Sequence, residues 1–149
     1  MPAITTDDPT TAITEWFARL DEYCAAEDYD AMRPHVAEDV VSFGTKAEIV
    51  TGREHLIENQ WREIWGKIED FSIDLEDLRA FGEGSTAWGV ATWDSTGFDE
   101  DGEPFYRPGR ATVTLERRDG VWLARHTHFS LYPGTPPFTY GPDGKARTD

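Results

Sequence analysis

Near the end of a chain of 149 residues, the stretch Glu116–Ser130 reads ERRDGVWLARHTHFS and carries two histidines two residues apart, His126 and His128. Imidazole titrates near neutrality and passes a proton in either direction, so the pair suits general acid/base work. On a strand, residues i and i+2 share a face, so both rings can meet one ligand or one ion. A metal site needs a third and usually a fourth ligand. Asp94 is an available acid, but nothing in the sequence brings it there, and no metal is expected. The competing reading is that both rings are structural and bond neighbours or water.

Which face they occupy depends on the turn before them. Asp119-Gly120 is a strong hairpin signal, because a type I′ turn needs positive φ at both central positions. A two-residue loop sets Arg118 against Val121, and regular pairing then sets Leu115 against Ala124, Val113 against His126 and Ala111 against His128. Directly opposed residues share a face. The expectation is that both histidines lie with Trp122, Leu115, Val113 and Ala111 on the apolar, covered side, beside a cavity. A one-residue bulge would send them outward.

The rest of the chain must supply that cover. Asp8-Pro9 has the form of a helix start, and Ile13, Trp16, Phe17, Leu20, Tyr23 and Cys24 follow on one helical face. Pro34 limits a second, short helix. Residues 40–44 and 48–50 are short strand candidates. Thr51-Gly52-Arg53-Glu54 has the spacing of a capping box, continued by Leu56, Ile57, Gln60, Trp61, Ile64 and Trp65 as an amphipathic helix. From residue 69 the period becomes two, which predicts strands over about 70–81, 86–95, 106–117 and 121–132. Helices followed by antiparallel strands make an α+β layout in one domain, 1–149, with an irregular tail over 133–149. A disordered or partner-bound tail is the expectation; the other reading folds it over the pocket with Phe138 or Tyr140.

Aromatic residues offer the walls of a binding site. Trp88 and Trp93 are an odd number apart and must face opposite sides of their strand, with one toward the pocket. The small set Ala87, Gly89 and Ala91 leaves room for a ligand or a close helix, whereas Trp88, Val90 and Thr92 would fill it. Trp61, Trp88, Trp93, Tyr23 and Val113 are the candidate substrate-binding residues. Cys24 reads as core, Asp74 and Asp94 as solvated, Arg110 as outward, and His35 and His55 as surface residues.

The net charge is −15. Such acidity repels phosphate backbones and anionic lipids, so neither nucleic acid nor membrane is an expected partner. The single cysteine excludes an internal disulfide and fits a reducing cytoplasm. No apolar run is long enough to span a bilayer, and the acidic N-terminus lacks the pattern of a signal peptide.

Four stretches, AEDVVSFG, VTGREHL, AWGVATW and RATVTLERRDGVWLARHTHFS, resemble the SnoaL-like branch of the nuclear transport factor 2-like superfamily over about residues 10–132. That group includes ketosteroid isomerases, scytalone dehydratase and the calcium/calmodulin-dependent kinase association domain. The resemblance implies a cystatin-like cone: a strongly bent antiparallel sheet wrapped by N-terminal helices around one pocket. It also implies a homodimer packed through the sheet's outer face. In ketosteroid isomerases the first strand supplies an aspartate base, and in-line reading puts Gly44 at that place. In the kinase association domain an arginine enters the pocket from the strand before the turn, and Val113 stands there. The expected function is a cofactor-independent lyase, isomerase or cyclase on a small apolar molecule, with His126 and His128 moving protons. The alternative is a non-catalytic ligand-binding or assembly domain.

Overall fold

Helix α1, Pro9–Ala26, begins where Asp8 accepts a hydrogen bond from the Thr10 amide at 3.2 Å, with Pro9 in the first turn. In this computed structural model, which describes residues 2–45 and 48–142, the helix buries the apolar stripe expected of it, including Ile13, Trp16, Phe17, Leu20 and Cys24. It ends at Glu27 in the left-handed region, φ 54°. A short α2, Tyr29–Met32, and a 3₁₀ turn over Arg33–His35 lead into strand β1, Val36–Phe43. Strand β2 is only Val50–Thr51.

The next helical run has four parts: α3 (Arg53–Leu56), a π-helical turn (Ile57–Trp61), α4 (Arg62–Ile64) and a 3₁₀ turn (Trp65–Lys67). The expected capping box does not form. The residue before the helix is Gly52 at φ 97°, without a side-chain cap, and the Glu54 carboxylate is held by Arg33 and Arg53 instead.

Six further strands follow: β3 (Glu69–Ile73), β4 (Arg79–Glu83), β5 (Thr86–Phe98), β6 (Pro104–Tyr106), β7 (Gly109–Arg118) and β8 (Val121–Leu131). The long strand expected over 70–81 is broken in two, where Asp74 Oδ1 accepts from the Asp77 amide at 3.2 Å and turns the chain. Strand order is β2-β1-β8-β7-β5-β3, with β4 and β6 also on β5. All described pairs are antiparallel except β1 with β8, so the bent sheet is mixed.

Helix α1 crosses β3, β4 and β5 on the concave side. Gly89 makes that approach possible: a Cβ there would meet Ile13 Cγ1 at 2.8 Å. The small set Ala87, Gly89 and Ala91 therefore receives the helix. Trp93 shares its face and is buried, whereas Trp88 lies outside, 40% exposed and stacked on Phe81 at 4.3 Å.

The Asp119-Gly120 turn is as expected, with φ 51° and 81° and Arg118 opposite Val121. Pairing runs regularly to Leu115 opposite Ala124, and then it slips. Arg125 is an extra residue in β8, and beyond it Thr114 pairs with His126, Val113 with Thr127, Thr112 with His128 and Ala111 with Phe129. The expected register beyond Ala124 is thus corrected by one residue. Thr127 and Phe129 face inward, and His126 and His128 face the outer side. The bulged residue is tied down at the irregular part of β1, where Arg125 Nη1 donates to the Asp39 carbonyl at 2.8 Å. Arg118 pairs with Asp39 and with Glu116 beside it. A bulge interrupts the ladder locally, and here the Arg125 side chain finds partners in Asp39 and Glu116.

The tail is held as far as it is described. Thr139 Oγ1 accepts from the Phe98 amide at 2.9 Å and donates to the Lys67 carbonyl at 2.7 Å. The Tyr140 amide donates to the Phe98 carbonyl at 2.8 Å. Phe138 points away, 64% exposed. The remainder of the expected tail, 143–149, lies outside the described residues.

Candidate functional site

The concave face of the sheet, α1 and the 53–67 helical run enclose a cavity. The enclosed space is about 50 Å³, and about 570 Å³ when the open mouth is counted. The helical run places Gln60, Trp61, Ile64 and Trp65 on one wall, and α1 places Trp16, Leu20 and Cys24 on another. The sheet contributes Phe71, Trp93, Thr127 and Phe129, and the end of β1 contributes Phe43, Gly44 and Thr45. The π-helical turn matters here, because its wider winding changes which side chains share a face, and Gln60 and Trp61 both line the cavity.

The walls are mostly aromatic. Trp61 and Trp65 stack at 4.8 Å, and Tyr29 continues the stack beyond Trp65 at 5.1 Å. Trp93 lies 5.7 Å from Phe71 and 6.4 Å from Phe129, centroid to centroid. Gly109 gives Trp93 its place, since a Cβ there would stand 2.1 Å from the indole.

The polar groups are few. Thr127 and Ser42 share a hydroxyl hydrogen bond of 2.6 Å on paired strands. Burial pushes the Cys24 thiol up, so it stays protonated, and nearby Arg107 opposes this only partly. Arg107 is the one cationic side chain among the described lining residues. It is 2% exposed. Its Nη2 donates to Thr45 Oγ1 at 3.0 Å and its Nη1 to Ser95 Oγ at 3.4 Å. Its Nε has no partner. Burial lowers its pKa to about 10, which leaves it charged at neutral pH.

Of the residues expected at the site, Trp61 and Trp93 line the cavity. Val113 is fully buried in the core beside it, and Tyr23 is buried with its hydroxyl unpartnered, away from the cavity wall. Trp88 is on the outer face, and so are both histidines. His126 Nδ1 lies 2.7 Å from the Val41 carbonyl, which can only accept, so Nδ1 carries a proton and donates it there. Phe43 separates the two rings from the cavity, in edge contacts at 5.6 Å to His126 and 5.0 Å to His128. His35, expected at the surface, is fully buried. Among the described residues no His, Asp or Glu lines the cavity, and no group of three or more His, Cys, Asp or Glu side chains is placed to hold a metal ion.

Arg107 was not singled out from the sequence, although a signal for it exists. It stands two residues before Gly109 and so has the same strand parity as Ala111, Val113 and Leu115, the inward set.

A bent sheet wrapped by helices around one apolar cavity defines the cystatin-like, nuclear transport factor 2-like class. Within it, the chain belongs to the SnoaL-like domain family, whose model matches residues 12–134. Solved structures agree on the fold. A candidate calcium/calmodulin dependent protein kinase II association domain from Xanthomonas campestris is 23% identical, with a TM-score of 0.70, covering 90% of this chain and 95% of its own. An uncharacterized cystatin-like protein from Caulobacter vibrioides is 16% identical, with a TM-score of 0.72 and coverages of 85% and 91%. A candidate dehydratase of the NTF2-like family from Streptomyces avermitilis is 16% identical, with a TM-score of 0.68 and coverages of 83% and 95%. No curated protein matches the chain significantly. No helix among the described residues is long and apolar enough to cross a membrane.

Proposed function

We propose that this chain is a binding protein for a small, flat, largely apolar organic molecule held in the cavity. The observation that carries this is the cavity wall itself: stacked and tilted aromatic rings around an open space, with a few convergent polar groups at one side. Binding is favoured over histidine acid/base catalysis because His126 and His128 stand on the other side of the sheet. A lyase or isomerase of the expected kind needs a base within reach of its substrate. The candidate dehydratase shares the fold with this chain but, at 16% identity, lends it no reaction.

The test is a titration with neutral one- and two-ring arenes such as 2-naphthamide, read by quenching of tryptophan fluorescence. Ile64→Phe adds bulk at the cavity wall. It should weaken binding by about tenfold or more, the factor that 1.4 kcal/mol represents, with the fold retained. Saturable quenching unchanged by this variant would place the ligand elsewhere and defeat the proposal.

The outer face supports a second copy of the chain as partner. It carries Phe43, Phe81 and Trp88, 36–45% exposed, among threonines and the two histidines. Relatives of this fold include association domains. In a two-fold pair the same patch meets itself, so one added charge is brought near its own copy. Thr112→Glu should convert a dimer to a monomer in analytical ultracentrifugation. A wild-type chain that is monomeric at tens of micromolar would refute the dimer.

A further inference from the structure

Arg107 is out of place in a purely apolar cavity. A buried charge without a partner is costly, and proteins keep one where something pairs with it. Among the described residues no carboxylate forms an ion pair with Arg107, and its side-chain hydrogen bonds go only to two neutral hydroxyls. The Nε donor is unused and buried. Beside it, the indole Nε1 of Trp93 is a second buried donor without a partner, and the guanidinium carbon lies 5.5 Å from that ring's centroid. The guanidinium and the indole are thus neighbours among the cavity's lining residues, and each keeps one unsatisfied donor. Both can only donate, so what they lack is an acceptor.

The acceptor that suits them is planar and negatively charged. A guanidinium fork matches a carboxylate in geometry as well as charge, and in a water-poor site such bonds are stronger than neutral ones. The Thr45 and Ser95 hydroxyls accept from the two Nη atoms and hold the fork in position before any ligand arrives. Ser95 is itself fixed, its Oγ donating to the Arg107 carbonyl at 2.8 Å.

We propose that the cavity selects a flat, apolar molecule ending in a carboxylate, and that Arg107 receives the carboxylate. This rests on the cavity being a binding site, and it adds the ligand's chemical class. The aromatic walls hold the ring body, and the arginine sets its orientation. Trp93 closes the site by offering its indole N–H to the same acid group.

The experiment compares two probes of one shape, 2-naphthoate and 2-naphthamide, on the wild-type chain, Arg107→Met and Arg107→Lys, by calorimetric titration. Wild type should prefer the carboxylate by about ten- to a hundredfold, the range for a hydrogen bond to a charged group. Arg107→Met should erase the preference, bringing the carboxylate's affinity down to that of the amide. Arg107→Lys should keep part of it, having the charge without the fork. Because Met also removes an uncompensated buried charge, thermal unfolding of the ligand-free variant checks that the fold persists. Equal binding of the two probes to wild type would overturn the carboxylate assignment and leave the cavity reading intact. So would a preference that survives in a folded Arg107→Met. Binding of neither probe would bring down the cavity reading, and the assignment with it.

Discussion

Trp16→Ala should destabilise the chain by about 3–5 kcal/mol, the range for truncating a fully buried aromatic side chain. Trp16 is 0% exposed and meets Phe17 edge-on at 5.7 Å. Its indole N–H donates to the His35 carbonyl at 2.8 Å. Truncation removes apolar area and orphans that carbonyl in the same step, and both effects have the same sign. It also opens one wall of the cavity, so arene binding should weaken along with stability. Native domains hold only about 5–15 kcal/mol in total, so the variant sits near the edge of folding at ambient temperature. Urea unfolding followed by circular dichroism measures this directly. A loss under about 1 kcal/mol would mean that Trp16 packs more loosely than its burial implies.

The second large effect is a loss of stability in mild acid, traced to His35. The ring is buried, and its Nε2 lies 3.3 Å from Arg19 Nη1, which can only donate. Nε2 therefore accepts, the proton sits on Nδ1, and that Nδ1 has no partner. Burial, and then the charge of Arg19, lower the pKa from 6.5 to about 4. In the unfolded chain the ring protonates as pH falls through 6.5, whereas in the folded chain it stays neutral until about pH 4. The unfolded state binds more protons in that window, so folding loses stability as pH drops from about 6.5 to 4 and nothing further from this residue below that. The shift corresponds to roughly 3 kcal/mol. His35→Gln keeps an acceptor for Arg19 and cannot titrate. The difference in unfolding free energy between wild type and His35→Gln should shrink or change sign across this window. Parallel pH curves for the two would show that His35 titrates normally when folded. Trp16 and His35 are in contact, so their effects should not add.

Much of the frame was legible in the sequence. The Asp8-Pro9 start and the stripe of α1 are local: a cap needs only its own helix, and a helical period appears in any window of a few turns. The Asp-Gly hairpin is equally local, and its turn forms as read. The odd spacing of Trp88 and Trp93 put them on opposite faces, and that holds. The capping box expected at 51–54 is absent because Glu54 pairs with two arginines, one of them twenty-one residues away in sequence, instead of closing the cap.

The site was read less well, and the reason is one residue. Uninterrupted two-residue alternation through β8 turns the histidines inward, and the bulge at Arg125 reverses that. In the structure Ala124 and Phe129 both face the interior, five positions apart, which strict alternation forbids. The surplus residue of the bulge, Arg125, is held by Asp39, from a strand more than eighty residues earlier.

What the amino-acid order determined alone is what short-range physics can determine: the helices, the strands, the tight turn, and the α+β family of arrangements. The tertiary structure decided which side chains face the cavity, because that depends on register between distant strands and on how β1 and β8 accommodate a surplus residue. It moved two histidines out of the cavity and brought in an arginine from beyond the end of a strand. Parity along a strand propagates every slip to all later residues, so a single tertiary contact reassigned the chemistry of the whole site.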